Sequence, residues 1–356
     1  MVEQNSSSLT PAISVLVPIY NTERYLAQAL DSLVAQTFSN FEVICINDGS
    51  TDGSREIIQR YLDSDERFGV IDKVNSGYGA SMNLGIDKAR GEYLAILEPD
   101  DFFEPNALQL LHNAALEFNL DVVKANYWFY WSQPTEQNKL IEVCDSRLIG
   151  KIIDPRTEPS VLTCIPSIWS ALYRKTALTN SSIRFSETPG ASFQDLGFQF
   201  KVWASVNRVM LLDTPILHYR QDNEASSVNN PDKAFCVCTE FESIKDHISS
   251  SPQKELLSKS LFRLRYDSYM WNYARLNESL RRSFLPRMID DFRQEISAGH
   301  YDESLFGAWQ NANLKHLLKS PEKFEKQFPI SPTKFKKTWY YLRIGGPKAL
   351  FSALSR

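Results

Sequence analysis

Residues 94–105 read LAILEPDDFFEP. An apolar run, Leu94-Ala95-Ile96-Leu97, stops at Glu98, Asp100 and Asp101. The run has the composition of a buried strand, and three acids within four positions follow it. Carboxylates that close repel and raise one another's pKa unless a cation holds them together. One reading is a solvated turn, since Pro99 and Pro105 suit turns and Asp caps helices. The other is a hard divalent cation, Mg2+ or Mn2+, held by one or two carboxylates and by phosphate oxygens. Acids without His or Cys fit that oxygen-preferring class and not zinc.

Outward from this stretch the chain alternates. ISVLV (13–17), FEVICI (41–46), a short segment near 68–72, YLAIL (93–97) and DVVKAN (121–126) read as strands. Helices are expected over 22–36, with Thr22 or Asn21 as N-cap, and over 54–62, 79–89 and 105–118. The alternation predicts an α/β fold, a Rossmann-like and mostly parallel sheet flanked by helices. In such sheets ligands sit outside the carboxyl ends of the strands. The loops PIYN (18–21), INDGSTDG (46–53), NSGYG (75–79) and EPDDFFEP (98–105) should therefore crowd one edge. Periodicity fades from about 127 to 160, where aromatics cluster in YWFYW (127–131). Order returns with SIWSALYRK as a helix or strand, IRF (183–185) as strand-like, a helix over 193–205 and a strand over 208–212. Beyond Pro231 the pattern is long and helical, for example over 254–281. The domain reading is a flexible 1–11, an α/β domain over 12–230 and a helical region over 231–356.

Composition narrows the function. The 356 residues are 43% hydrophobic and 23% charged, enough for one large domain plus an appendage or for two domains. A net charge of -4 excludes electrostatic nucleic-acid binding by the whole molecule. Five scattered cysteines, Cys45, Cys144, Cys164, Cys236 and Cys238, argue against a disulfide framework and for a reducing compartment. The C-x-C at Cys236 and Cys238 lacks a second ligand pair and reads as ordinary thiols. The polar start MVEQNSSSLTP has no apolar signal core, and no run of about 18 uncharged apolar residues occurs. The expectation is a cytoplasmic protein without an integral anchor.

Asp48 and Asp52 lie in the loop after the second strand, where a nucleotide would rest. Gly49, Ser50 and Gly53 suit a turn and helix cap, while Asp48, directly after Ile46 and Asn47, is placed to accept hydrogen bonds from a base or ribose. There is no G-x-x-x-x-G-K-[ST], and Gly77 and Gly79 are followed by Met82 and not by a third glycine, which disfavours dinucleotide binding.

The runs ISVLVPIYN, SLVAQTFSNFEVICINDGSTDGS and NSGYGASMNLGIDKARGEYLAILEPDDFFEP resemble the start of glycosyltransferase family 2. The resemblance continues through IWSALYRK, IRF, FQDLGF and HYRQDNEASS, and covers about residues 12–230. It implies the GT-A fold and an inverting, nucleotide-sugar-dependent transferase. By that resemblance Pro18, Tyr20 and Asn21 would border the nucleotide, and Asp48 would meet the base, usually uracil. Asn75, Gly77 and Asn83 would line the donor site. The family's D-x-D falls on Glu98-Pro99-Asp100, with Asp100 as ligand of a metal bridging the diphosphate and Asp101 as a further metal or water-shell candidate. Asp195 would be the general base, taking the acceptor's proton as it attacks C1 of the sugar. His218 and Arg220 are candidate diphosphate contacts, His218 also a candidate metal ligand, and Trp169 could floor an acceptor site or belong to the core.

Two positions depart from the family. Glu98 stands where an aspartate is usual, and Gln194 replaces the Glu of the usual Glu-Asp pair. These keep a second reading open, a degenerate copy that binds a nucleotide sugar or scaffolds an active partner. A nucleotidyltransferase ranks third, because PIYNTERY lacks the glycines of its phosphate loop. QFKVW (199–203) lacks the Arg of the Q-x-x-R-W found in processive polysaccharide synthases and lies too close to Asp195, so addition of one or few sugars is expected.

The last 24 residues, TKFKKTWYYLRIGGPKALFSALSR, hold six basic residues and no acid, interleaved with Phe335, Trp339, Tyr340, Tyr341 and Phe351. This is the composition of a segment that lies on anionic lipid, or of a helix packed on its own domain. Expected partners are a nucleotide-sugar donor and a glycan, lipid-linked or protein-linked acceptor, with peripheral membrane contact and a homo-oligomer as further candidates.

Overall fold

The computed structural model describes residues 10–188, 190–223, 233–330 and 334–354. Its first four strands are β1 (Ile13–Ile19), β2 (Phe41–Asn47), β3 (Phe68–Asp72) and β4 (Tyr93–Ile96). β1 is buried along its whole length, as a central strand covered on both faces must be. It pairs in parallel with β2, Ile13 opposite Phe41 and Ile19 opposite Asn47, and with β4 on its other side. β2 pairs in parallel with β3. The crossovers are α1 (Glu23–Val34), α2 (Ser54–Ser64) and α3 (Tyr78–Lys88). α1 buries Leu26, Ala29, Leu30 and Leu33, one stripe at helical spacing. These elements agree with the sequence to within a few residues at their ends.

Past β4 the sheet becomes mixed. The elements are β5 (Phe102–Phe103), α4 (Ala107–Glu117), β6 (Val122–Trp131), β7 (Gln137–Ile141), β8 (Ile152–Ile153), α5 (Pro159–Leu162), β9 (Ala171–Arg174), α6 (Lys175–Asn180), α7 (Gln194–Ser205) and β10 (Val209–Arg220). The sheet order is β3-β2-β1-β4-β9-β6-β10-β5, with β7 beside β6 and β8 beside β10. β9 runs antiparallel to both β4 and β6, while β10 runs parallel to β6. The α/β reading holds, but the parallel order belongs to the first four strands and to the β6–β10 pair.

Several local expectations need correction. YWFYW is not irregular: it completes β6, and its aromatics occupy both faces, which removes the alternation a strand usually shows. SIWSALYRK is both a short 3-10 turn (Ile168–Ser170) and a strand, β9. IRF forms no strand. β10 does not stop at 212 but continues, through register shifts around Pro215, to Arg220. Cys144 and Cys164 are paired as a disulfide with Cα atoms 5.6 Å apart, a single bridge where the scattered cysteines argued against a disulfide framework and for a reducing compartment. The loop after β7 brings together two residues 20 apart in sequence, a closure that spacing alone does not reveal.

The chain divides into two units, Met1–Asn229 and Asn230–Arg356. The boundary expected near 231, the proposed flexible N-terminus up to residue 9 and the end of HYRQDNEASS all lie outside the described residues. The second unit contains α8 (Cys236–Ile248), α9 (Lys254–Arg275), α10 (Glu278–Ser297), α11 (Ala308–Lys319), α12 (Pro321–Gln327) and α13 (Lys334–Leu354). The long helix expected over 254–281 is two helices, because Asn277 caps α10 by accepting from the Leu280 N–H at 3.0 Å. Arg265 is buried and ion-paired with Glu295 at 3.2 Å, and the Tyr269 hydroxyl donates to Asp291 at 2.6 Å.

In the first unit, the loop leading into α3 is pressed against the chain before α7. A Cβ on Gly79 would stand 2.0 Å from the Ser186 carbonyl oxygen, and one on Gly77, whose φ is +93°, 3.0 Å from the Gly190 nitrogen. Gly79→Ala is expected to destabilise the protein by about 2 kcal/mol, because backbone on both sides must shift. Urea denaturation checks this, and an unchanged midpoint would mean that the two loops are not in contact.

Candidate active site

The stretch that ends β4 becomes a tight turn, with the Asp101 N–H donating to the Glu98 carbonyl at 3.1 Å. Arg220, at the end of β10, holds this turn from the inside. Its Nε donates to the Asp100 carbonyl at 3.0 Å, and its own N–H donates to Asp101 Oδ1 at 2.9 Å. The guanidinium also reaches Gln28 and Asp222, and stacks over Tyr25 at 4.5 Å and Tyr130 at 4.9 Å. Only 5% of Arg220 is exposed. The arginine is therefore committed to the protein on every side, and the expectation of a diphosphate contact is corrected: it is the resident cation of the acidic turn.

The three acids divide into different roles. Asp101 is buried, and its Oδ2 has no hydrogen-bond partner. Burial first, and then neighbouring Asp100, push its pKa well above the usual carboxylate range. Asp100 is half-buried and accepts from Asn223 at 2.8 Å. Glu98 accepts from the Tyr78 hydroxyl at 2.6 Å, and burial, reinforced by Asp100 and Asp195, pushes its pKa up to about 8.

Asp195 lies in the first turn of α7, where the helix dipole favours an anion. Phe193 adopts a left-handed conformation (φ 61°) to start this helix. One carboxylate oxygen of Asp195 accepts from the Leu196 N–H at 2.8 Å. Burial raises its pKa to about 6, and Lys124 acts in the opposite direction. Lys124 is fully buried in β6, donates to the Ser167 carbonyl and has its pKa lowered by burial to about 7. Nothing in DVVKAN marks this lysine as different from an exposed one, so sequence reasoning missed it. Gln194 bonds to Thr188 at 2.8 Å and to the Ser192 N–H, so it organises the loop before the helix.

On the opposite side of the edge Asp48 is buried and fully engaged. It accepts from the Ser76 and Gly77 N–H groups, each at 2.9 Å, and is ion-paired with Lys73. Asp48 and Lys73 thus tie the NSGYG loop to the end of β2, and Lys73 is a second residue that sequence reasoning missed. Asn21, at φ 53°, accepts from the Thr51 N–H at 2.8 Å, while Tyr20 is 51% exposed and free to meet a ligand. Asn75 is exposed, with its backbone nitrogen against Gly49.

Two expectations, those for Asn83 and His218, are corrected besides that for Arg220. Pro18 is buried one residue before the carboxyl end of β1, opposite Ile46. Asn83 spends its amide on the Phe185 backbone, accepting at 2.9 Å and donating at 3.0 Å, so it clamps the IRF segment and does not line a ligand site. His218 stacks on Phe102 at 4.4 Å, with Glu104 and Asn138 each 2.9 Å from a ring nitrogen, which leaves neither nitrogen for a metal. Of the two readings of Trp169, the structure favours the core one: it is buried against Tyr219 and Tyr127.

The donor set fits a hard divalent cation of one kind only. Among the described residues no three His, Cys, Asp or Glu side chains form a metal cage. Asp100 and Glu98 offer one or two oxygens, and the buried Asp101 Oδ2 beside them is without a hydrogen-bond partner. Such a set suits a cation that arrives with phosphate oxygens.

The family model described as glycosyl transferase family 2 matches residues 14–179. The chain is 34% identical over 319 residues to the glycosyltransferase EpsH of Bacillus subtilis, covering 87% of this chain and 80% of EpsH. In fold it is similar to S. aureus TarS in complex with UDP-GlcNAc, with a TM-score of 0.70 and 19% identity over 89% of this chain and 91% of the other. It is also similar to the mannosyltransferase PcManGT of Pyrobaculum calidifontis in complex with GDP-Man and Mn2+, with a TM-score of 0.50 and 14% identity over 98% and 87% of the two chains.

Replacing Arg220 by Ala removes the turn's buried cation and the side-chain donor to the Asp100 carbonyl, while the backbone N–H bond to Asp101 survives. The expected cost is about 3 kcal/mol, read as a lower urea midpoint for the donor-free protein. An arginine that served only a ligand would leave that midpoint unchanged.

Proposed function

The chain belongs to glycosyltransferase family 2, and from that premise we propose that it is a metal-dependent, inverting transferase that moves a sugar from a UDP-linked donor to a saccharide or glycoconjugate acceptor. The observation that carries this reading is the meeting of Glu98, Asp100 and Asp195 at the carboxyl edge of the sheet. Each acid perturbs the Glu98 carboxyl, so the leaving-group side and the base side share one small region. A uridine donor is supported by TarS, whose fold this chain shares and which has been crystallised with UDP-GlcNAc. The bacterial origin of EpsH supports a place in surface-glycan or glycoprotein-glycan synthesis. A cytoplasmic location is part of the same reading.

In this account the exposed Tyr20 and Asn75 border the nucleotide, and Asp48 with Lys73 fixes the loops that receive it. Held by Asp100 and Glu98, a divalent cation would supply stabilisation of the charge on the departing diphosphate. Asp195 accepts the proton of the acceptor hydroxyl while that oxygen forms its bond to C1. The bond from C1 to the diphosphate breaks on the opposite face, and the anomeric centre inverts. A pKa of about 6 makes Asp195 a stronger base than an ordinary aspartate while leaving it ionised at neutral pH. Lys124 offsets part of the burial penalty and keeps that balance.

The test supplies Mn2+ and a panel of UDP-sugars and follows UDP release, first by hydrolysis and then with an acceptor. Asp100→Ala is expected to abolish release. Asp195→Asn is expected to retain donor affinity but to lower transfer by about 100-fold or more. Because the base must be ionised, wild-type kcat should fall as pH drops through about 6, the value to which Asp195 is raised. Full transfer by Asp195→Asn, or an acid limb that survives in that variant, would remove Asp195 from the role. Donor binding with no release under any acceptor would favour the scaffold reading.

A further inference from the structure

We propose that the outward face of α13 docks the protein on an anionic lipid bilayer. This deepens the transfer reading by placing the acceptor at a lipid surface, and it rests on side chains of the second unit alone.

One face of α13 is committed to α11. The Tyr340 hydroxyl donates to Asn313 at 2.6 Å, and Tyr341 packs on Trp309 with ring centroids 5.3 Å apart. A Cβ on Gly345 would stand 2.7 Å from the Cβ of Ala312, so the two helices nearly touch there. Ala349 is buried. Gly346, at φ 64° and ψ -164°, breaks the helix into two halves.

The other face is apolar and uncovered in both halves. Trp339 is 58% exposed, Leu342 39%, Phe351 71% and Leu354 67%. At 100° per residue Trp339 lies well off the direction of Gly345, Leu342 sits at the border about 60° from it, and beyond the break Phe351 and Leu354 point away from Ala349. Water is a poor neighbour for four such side chains on one element. Lys337, Arg343 and Lys348 are exposed on the same helix. No acid occurs after Glu325, in a chain whose net charge is -4.

These observations select the occupant. Apolar side chains with a tryptophan, bordered by fixed positive charge, match the chemistry of the headgroup boundary of an anionic membrane. A second copy would bring its own basic face against this one, which the like charges oppose. No described helix is long and apolar enough to cross a membrane, so α13 would lie in the plane of the surface.

The experiment is flotation of the full chain with vesicles of phosphatidylcholine alone or mixed with phosphatidylglycerol. The expected result is binding to the mixed vesicles only, weakened by salt. The triple variant Lys337→Glu, Arg343→Glu, Lys348→Glu is expected to lose at least about 100-fold in vesicle affinity, each neutralised contact being worth about fivefold. Phe351→Ser, a milder change on an exposed residue, is expected to weaken binding while leaving the melting curve and soluble UDP release unchanged. No flotation of the wild type, equal binding to both vesicle types, or undiminished binding by a folded triple variant would each overturn the proposal. A dimer in light scattering that Phe351→Ser dissociates would also overturn it and assign the face to a second copy. Loss of UDP release in the wild type would instead strike the transfer reading and leave the docking result standing.

Discussion

The site depends on Arg220 holding an acidic turn from behind. Three carboxylates at the end of β4 cannot be buried together without compensation, and the protein answers in two parts. Arg220 fixes the backbone of Asp100 and one oxygen of Asp101, at a depth where water cannot compete. The outer carboxyls, Asp100 and Glu98, stay half-exposed. A turn anchored on its inner side and half-exposed on its outer side is organised before any ligand arrives, which is what electrostatic preorganisation requires.

The mixed half of the sheet makes that arrangement available. β10 runs beside β6 as far as Arg220, well past the point at which its apolar pattern ends, and β5 pairs with it at Phe103 and Leu217. The acidic turn is thereby stitched to a strand more than a hundred residues later. α7 starts on the same edge and presents Asp195, while the loop preceding it packs against Gly77 and Gly79. Asp48 reaches the same NSGYG loop from the other side, so the donor-side and base-side loops are joined through one short glycine-rich segment.

Much of this was legible in the sequence, and the limits have physical causes. The parallel strands and their helices announce themselves by periodicity, so their order to residue 126 was readable, while the two-residue β5 inside EPDDFFEP was missed. Glu98 and Asp100 were readable as chemistry because acids crowded at the end of a buried strand need a partner; Asp195 was readable only through the family resemblance, since an acid at a helix start is ordinary. Arg220, Lys124 and Lys73 were not, because a buried cation and an exposed one look alike until the fold supplies their partners. Asn83 erred in the opposite direction: an amide near a predicted site can be spent on backbone 102 residues away. The pairing of Cys144 with Cys164 was hidden for the same reason, since it depends on how an irregular segment returns. YWFYW was misjudged because a strand with aromatic side chains on both faces has no alternation to detect.

The central claim is that Asp100 and Glu98 receive a divalent cation together with a uridine diphosphate at the carboxyl edge of the sheet. A crystal grown with Mn2+ and UDP, with diffraction recorded at the manganese absorption edge, tests it most directly. The account predicts a single strong anomalous peak in contact with an Asp100 oxygen and the diphosphate, with Arg220 still bound to the Asp100 carbonyl. A UDP–manganese complex seated elsewhere, or an Asp100 that keeps its bond to Asn223 and touches neither ligand, would contradict it.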